Sequence, residues 1–182
     1  ISSHDFYEGP NLWGKFLFPD FFEWLRFLDN YIKKDKNINR EWFIKPHPDA
    51  RRDQTHILKN LFKSNKKVNI LSPKITHAQL LNNKIDFVLT ARGSISYQYT
   101  YFGINTLLCS NIGLYNDFNF VVKSYSIDDY KKKLDLMEKI SRKNPNIKDA
   151  VSFFMLLNIF VYNNGSELIF PDISNYIKNK KI

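Results

Sequence analysis

Residues 85–98 decide the fold of this chain, and they read Ile85-Asp86-Phe87-Val88-Leu89-Thr90-Ala91-Arg92-Gly93-Ser94-Ile95-Ser96-Tyr97-Gln98. The first six residues form a mainly apolar run that predicts a β-strand. The Gly-Ser pair predicts a turn, and the residues after it predict a helix over 95–102 that Gly103 closes. A strand that leads through a tight turn into a helix is the repeating unit of an α/β protein.

The same order of elements extends outward in both directions along the chain. We predict further strands at residues 1–3, 41–45, 67–71, 105–109 and 118–122. We predict further helices starting near residue 19 and at residues 54–63, 76–82, 126–142 and 146–162. Such alternation favours parallel pairing, right-handed crossovers and helices on both faces. The sequence therefore predicts a single α/β domain over residues 1–182, a Rossmann-like doubly wound parallel sheet with extra C-terminal helices.

The clearest helix begins near Pro19-Asp20, since proline suits a first helical turn. Its apolar side chains recur at the spacing of one helical face, at Phe21, Trp24, Leu25, Leu28, Tyr31 and Ile32. We expect this face, including the Trp24 ring, to lie in the core.

The composition suits one compact domain. The chain has 182 residues, of which 43% are hydrophobic and 16% aromatic, and only 6 are glycine and 7 proline, so it is not a low-complexity or disordered chain. A single cysteine, Cys109, excludes an intramolecular disulfide and a cysteine metal cluster. It also favours a reducing cytoplasm. No Asp-x-Asp metal motif occurs, and we expect no metal and no cofactor.

The charge balance indicates an anionic partner, since Lys+Arg minus Asp+Glu is 27 − 18 = +9. Candidates are nucleotide diphosphates, anionic lipid headgroups and nucleic acid. The alternative is a solvated lysine surface, because the lysine clusters lie at predicted helix ends and surfaces. The basic residues are scattered and no recognition motif is present, so we expect no nucleic-acid partner.

The apolar runs and the start of the sequence bear on location. The longest apolar run, residues 151–162, is too short to span a bilayer. The chain opens without an initiator Met, a basic segment or an apolar leader. We expect a cytoplasmic fragment of a longer protein, with peripheral association at the inner face of the cytoplasmic membrane.

Polar loops follow three of the predicted strands, at the edge where doubly wound sheets bind ligands. The first contains Ser3, His4 and Asp5, whose hydroxyl and imidazole groups can touch a phosphate or an acceptor sugar. Ordinary turn chemistry is the alternative, because Ser and Asp turn chains well.

The second loop is Lys45-Pro46-His47-Pro48. The two prolines fix their own φ angles and push the preceding residues toward extended backbone, so the His47 ring has a defined direction. Beside Lys45, it can donate to a phosphate oxygen. The alternative is a strand that ends in prolines with an exposed histidine. We interpret His56 and His77, at predicted helix starts, as structural or surface residues.

The third loop is the turn at Arg92, Gly93 and Ser94, with Ser96 in the first helical turn. Free backbone N–H groups at a helix start favour an anion, and glycine lets the backbone approach a ligand closely. Ser94 and Ser96 add hydroxyl donors, and Arg92 adds charge. The alternative is a helix that Ser94 merely caps.

These residues resemble a known family. The stretch Trp42-Phe43-Ile44-Lys45-Pro46-His47-Pro48 precedes Leu89-Thr90-Ala91-Arg92-Gly93-Ser94-Ile95-Ser96-Tyr97-Gln98-Tyr99 and Phe102-Gly103-Ile104-Asn105-Thr106-Leu107. Together with Ser3-His4-Asp5-Phe6-Tyr7 and Phe18-Pro19-Asp20-Phe21-Phe22-Glu23-Trp24-Leu25, they look like the C-terminal domain of GT-B capsule-biosynthesis transferases. That group includes capsular Kdo-transferase-like and polysialyltransferase-like proteins and, more distantly, teichoic-acid glycerophosphotransferases. The resemblance covers roughly residues 1–125.

The resemblance implies a donor-binding domain of a metal-independent glycosyltransferase. Its substrate would be a CMP-, UDP- or GDP-linked sugar, and its acceptor a glycan or lipid-linked glycan. In such enzymes the His-Pro loop and the Ser-rich turn hold the donor, which by position indicates Lys45, His47, Pro48, Arg92, Gly93, Ser94, Ser96 and Gln98. Gln98 stands where a glutamate commonly holds the donor ribose, and it carries no charge. The resemblance also implies an N-terminal acceptor domain that carries the general base and that this chain lacks, so the chain alone would bind a donor without turnover.

Two other readings share this fold. A non-hydrolysing nucleotide-sugar epimerase has GT-B architecture, but it needs an acid and base pair that the sequence does not place. A non-catalytic GT-B domain that docks on a membrane or a partner fits the +9 charge and Gln98.

Overall fold

In the computed structural model of the chain, residues 1–12, 14–51, 53–115 and 117–157 are described. The helices among them are α1 Phe21–Lys34, α2 Gln54–Leu61, α3 His77–Asn82, α4 Ile95–Tyr101, α5 Ile127–Asp135, α6 Met137–Ser141 and α7 Ile147–Met155. The strands are β1 Lys15–Phe16, β2 Trp42–Ile44, β3 Val68–Ile70, β4 Phe87–Thr90, β5 Asn105–Leu108 and β6 Ser110–Asn111. The predicted α/β class is therefore confirmed.

The strands pair in three two-stranded sheets, and two of these are parallel. β2 pairs with β3, and β4 pairs with β5. Isolated parallel bridges join the segments, because Ser2 bridges to both Lys45 and Thr90, and Leu107 bridges to Val122. The hydrogen-bonded order is thus β3, β2, the segment at Ser2, β4, β5 and the segment at Val122. The strands predicted at residues 1–3 and 118–122 are these single bridges rather than full strands.

One pairing differs from the predicted parallel pattern. β1 pairs with β6 in the antiparallel direction, with Phe16 opposite Ser110. Gly14, next to β1, has φ +150° and approaches Asn111 so closely that an added Cβ would lie 2.3 Å from its carbonyl oxygen. Only glycine allows the chain to come this close to β6.

Three apolar clusters pack against the two faces of β4 and β5. Leu89 and Leu107 join the large cluster that contains the buried faces of α1 and α5. Their neighbours Val88 and Leu108 belong to other clusters, which contain residues of α4 and α7. Successive residues of a strand face opposite sides. Helices therefore cover both faces of this part of the sheet.

The predicted apolar face of α1 is confirmed for five of its six residues, because Phe21, Trp24, Leu25, Leu28 and Ile32 are buried, whereas Tyr31 is half-buried. The side chain of Asp20 caps the helix by accepting from the backbone N–H of Glu23 at 2.7 Å. Trp24 is fully buried, and its Nε1–H donates to the Tyr130 hydroxyl at 3.1 Å.

Two predicted helices have different bounds in the structure. The helix predicted at residues 126–142 is divided at Leu136 into α5 and α6. The helix predicted at residues 146–162 begins as expected, with Asn146 as its cap, and α7 reaches Met155. Residues 158–162 of that prediction lie outside the described residues.

Candidate functional site

The three polar loops predicted from the sequence meet at one edge of the parallel strands. The bridges from Ser2 to Lys45 and to Thr90 place the strand ends side by side. The loops that leave these ends carry His4, His47 and Arg92. This is the carboxyl edge of the strands, where ligands bind in open parallel α/β sheets.

His4 and Arg92 are in direct contact, although 88 residues separate them. The His4 Nε2 atom lies 3.1 Å from the carbonyl oxygen of Arg92 and 3.5 Å from the Thr90 hydroxyl. The imidazole ring also stacks on Phe21 of α1, with ring centroids 5.0 Å apart. Stacking and hydrogen bonding together hold the ring at the end of β4.

Arg92 is buried, with only 6% of its surface exposed. One of its terminal nitrogens, Nη2, donates to the Glu8 carboxylate at 3.0 Å, and the guanidinium lies 5.5 Å from the centre of the Phe21 ring. The other terminal nitrogen, Nη1, is buried and has no hydrogen-bond partner among the described residues. A buried N–H group without an acceptor destabilises the fold, so the Nη1–H group is suited to donate to an oxygen atom of a ligand.

The electrostatics of this cluster favour a neutral His4. Burial, followed by the charge of Arg92, lowers the pKa of His4, and Glu8 opposes the shift. The Glu8 carboxylate lies 3.5 Å from His4 Nδ1. Burial by itself would raise the pKa of Glu8, but the hydrogen bond from Arg92 and the charge of Arg92 bring it below its usual value. An ionised Glu8 therefore faces Arg92 and a neutral imidazole.

Gly93 provides the turn between β4 and α4. Its φ is +103°, a backbone conformation that residues with a Cβ atom rarely adopt. An added Cβ would lie 3.8 Å from His4 Cε1, which is an ordinary contact, so the backbone angle rather than crowding requires glycine. The turn brings the Arg92 carbonyl to His4.

The His47 ring is held by its own turn, as the flanking prolines predict. Its Nδ1 accepts a hydrogen bond from the backbone N–H of Asp49 at 3.2 Å. An Nδ1 that accepts leaves the ring proton on Nε2, which can donate to a ligand. The His47 side chain is 38% exposed. Pro46 is buried and Pro48 is exposed, so the loop leads from the sheet to the surface.

The two serines after Gly93 have different surroundings. Ser94 is exposed and makes no side-chain capping bond. Ser96 is buried, and its hydroxyl lies 2.6 Å from the Gly93 carbonyl oxygen and 3.0 Å from the Tyr115 hydroxyl. Gln98 is exposed on α4. Ser94 and Gln98 are thus accessible, whereas Ser96 supports the turn from inside.

The residues of the first loop, Ser3, His4 and Asp5, also differ in their surroundings. Asp5 accepts from the backbone N–H of Tyr7 at 3.0 Å, which is the turn chemistry considered as its alternative. Ser3 is buried, and its hydroxyl lies 3.4 Å from the Lys45 carbonyl oxygen. Ser3 thus contacts the second loop, and His4 contacts the third loop through Arg92.

Sequence reasoning missed two residues of this site, Glu8 and Gln54. Gln54, fully buried at the start of α2, donates to the His4 carbonyl oxygen at 2.7 Å, and its Oε1 has no partner among the described residues. Its contact with His4 spans 50 residues and follows no local pattern. Glu8 carried a weak signal, because it stands four residues after His4 in a polar loop.

No family model, no curated protein and no solved structure matches this chain. Within the described part of the chain, no three His, Cys, Asp or Glu side chains are grouped to hold a metal ion. The described helices include none that is long and apolar enough to cross a membrane.

The arrangement is suited to bind an oxyanion. A buried guanidinium with a spare donor, an imidazole beside it and a glycine turn lie together at the end of β4. A charged donor without a partner in a partly dry site binds phosphate strongly. The partly exposed His47 lies on the next loop of the same edge.

Proposed function

We propose that this chain is the nucleotide-sugar-binding part of a GT-B glycosyltransferase that acts on a bacterial surface polysaccharide. The hydrogen-bonded order of the strands supports a Rossmann-like domain. The antiparallel strands β1 and β6 do not belong to this parallel order. When the segment at Ser2 is counted as strand 1 and the segment at Val122 as strand 6, the order is 3-2-1-4-5-6, which is the Rossmann arrangement. The apolar clusters on both faces of β4 and β5 support a doubly wound sheet.

The observation that carries the proposal is the contact of His4 with Arg92 beside Gly93, with Arg92 Nη1 buried and unpartnered. This contact lies at the carboxyl edge, where the donor binds in this fold. In the proposed reaction, the bond between the sugar and the nucleotide phosphate breaks, and negative charge grows on that phosphate in the transition state. Arg92, with the Nε2–H of His47, would stabilise that charge without a metal.

Glu8 affects how Arg92 can bind a phosphate. Its carboxylate already pairs with Arg92, and its side chain is 40% exposed. A donor phosphate would either replace Glu8 on the guanidinium or bind Nη1 beside it. In both cases Glu8 and the phosphate repel each other.

The first prediction is that Arg92→Met weakens nucleotide binding by about ten-fold or more, because a charged hydrogen bond is lost. Glu8→Gln, which removes the competing charge, should tighten binding severalfold. Calorimetric titration with CMP, CDP, UMP, UDP and GDP measures both effects. Arg26→Met is the matched control, since Arg26 is exposed and pairs with Glu23 on α1. Equal affinities for the wild type and a folded Arg92→Met variant would refute the assigned role.

A further inference from the structure

A second polar cluster lies on the other side of β2 from the α1 core. Trp42 and Ile44 are buried in that core, and Lys45 follows Ile44 in extended pairing with Ser2. Because side chains alternate along a strand, Lys45 faces away from α1. Its side chain is nevertheless buried, with 6% of the residue exposed.

The Lys45 ammonium has few partners for so buried a charge. Its Nζ donates to the carbonyl oxygen of Pro46 at 3.3 Å, a long hydrogen bond to its own neighbour. An ammonium carries three donors, and a buried charge is stable only when it is paired and hydrogen-bonded. No ion pair of Lys45 occurs among the described salt bridges.

His77 and Tyr99 form the rest of this cluster. The His77 Nδ1 atom lies 3.1 Å from the Tyr99 hydroxyl, and the two rings meet edge to face at 5.5 Å. His77 is held at the start of α3 by a capping box between Thr76 and Gln79. Burial raises the pKa of Tyr99 to about 12, so the phenol keeps its proton at neutral pH.

Lys45 lies close to this pair. Burial, and after it the charge of Lys45, lowers the pKa of His77. Lys45 and Tyr99 also line the same cavity of about 790 Å³, whose wall includes Leu80 and Ile95. An ammonium and a phenol therefore line one cavity with partly apolar walls, and the phenol is hydrogen-bonded to the His77 imidazole.

We propose that Lys45, Tyr99 and His77 form an oxyanion subsite that takes a second anionic group of the donor, either a second phosphate or a sugar carboxylate. This subsite rests on the proposed function, because it extends the donor site from Arg92 across the sheet edge. Lys45 supplies the charge. When His77 Nδ1–H donates to the Tyr99 oxygen, the phenol proton is free to donate to the ligand. Ligand binding therefore favours the arrangement in which His77 Nδ1–H donates to the Tyr99 oxygen.

Titration of the whole chain by NMR, with the histidine rings labelled, tests the subsite. The probes are inorganic pyrophosphate, UDP and D-glucuronate, with D-glucose as the uncharged control. We expect a saturable shift of the His77 ring signals with pyrophosphate and UDP, with glucuronate, or with both, and none with glucose. Pyrophosphate without glucuronate assigns the subsite to a phosphate, and the reverse assigns it to a carboxylate.

Three variants make the test specific. Lys45→Met keeps the length of the side chain and should weaken oxyanion binding by about ten-fold or more. Tyr99→Phe keeps the ring and should weaken it severalfold, whereas Lys66→Met, at an exposed lysine, should leave it unchanged. A melting temperature close to that of the wild type confirms that each variant is folded.

Two outcomes overturn the subsite. One is the absence of any His77 shift with all three anionic probes, and the other is wild-type affinity in a folded Lys45→Met variant. Neither is the same as failure of the proposed function. Nucleotide binding that depends on Arg92 but not on Lys45 would keep the function and remove the subsite. Pyrophosphate binding that depends on Lys45, without any nucleotide binding, would keep the subsite and remove the function.

Discussion

At the residue scale, the site contains a histidine, His4, whose side chain is only 12% exposed and stays neutral. Burial and the charge of Arg92 lower the pKa of His4 below its ordinary value of about 6.5. The unfolded chain therefore takes up a proton at His4 at a higher pH than the folded chain does. The contribution of His4 to stability is complete above about pH 6.5, and it is lost as the pH falls toward the folded pKa.

This linkage predicts that the melting temperature falls between pH 7 and pH 5.5 by more in the wild type than in His4→Gln, a pH window set by the ordinary histidine pKa of about 6.5. Other titrating groups, including His77, are present in both proteins, so the difference isolates His4. His56→Gln, at an exposed position of α2, is the matched control for the loss of one histidine. Parallel pH profiles for the wild type and His4→Gln would contradict a buried neutral His4.

At the element scale, α1 connects the core to the site, because Trp24 lies in the core and Phe21 stacks on His4. Trp24→Ala should reduce the free energy of unfolding by about 3–5 kcal/mol, since it leaves a cavity and an unpaired Tyr130 hydroxyl. Urea denaturation measures the change, with the exposed Arg26→Ala as the control. A loss below about 1 kcal/mol would mean that the Trp24 ring does not fill the core, because large core deletions cost more than that.

The elements also show how far the sequence could predict the structure. The buried face of α1 and the strands β2 to β5 follow from local periodicity, and all were predicted. β1 and β6 have two residues each, too few for any pattern, and their pairing depends on Gly14. The break at Leu136 was also missed, because the apolar spacing continues through it. Local sequence predicts elements with a long apolar pattern, whereas short strands are set by tertiary contacts.

For the site, the sequence predicted which loops lie together at one edge of the strands but not how their residues pair. The strand order brings the loops together, so His4, Lys45, His47 and Arg92 could be named in advance. Gln54 contacts His4 across 50 residues, a distance over which one sequence gives no signal. Glu8 gave only a weak signal, by its place four residues after His4. His77, interpreted from the sequence as structural or surface, contacts Tyr99.

At the scale of the whole molecule, the central claim is that one edge of the parallel strands binds a nucleotide. Mapping by ¹H–¹⁵N NMR of the labelled chain, with CMP and UDP added in turn, tests this claim most directly. We expect saturable shifts concentrated in the backbone amides of residues 3–5, 45, 47, 49 and 91–96. Shifts concentrated at the opposite strand ends, around residues 65–67 and 103–105, or no saturable shift with either nucleotide, would contradict this claim.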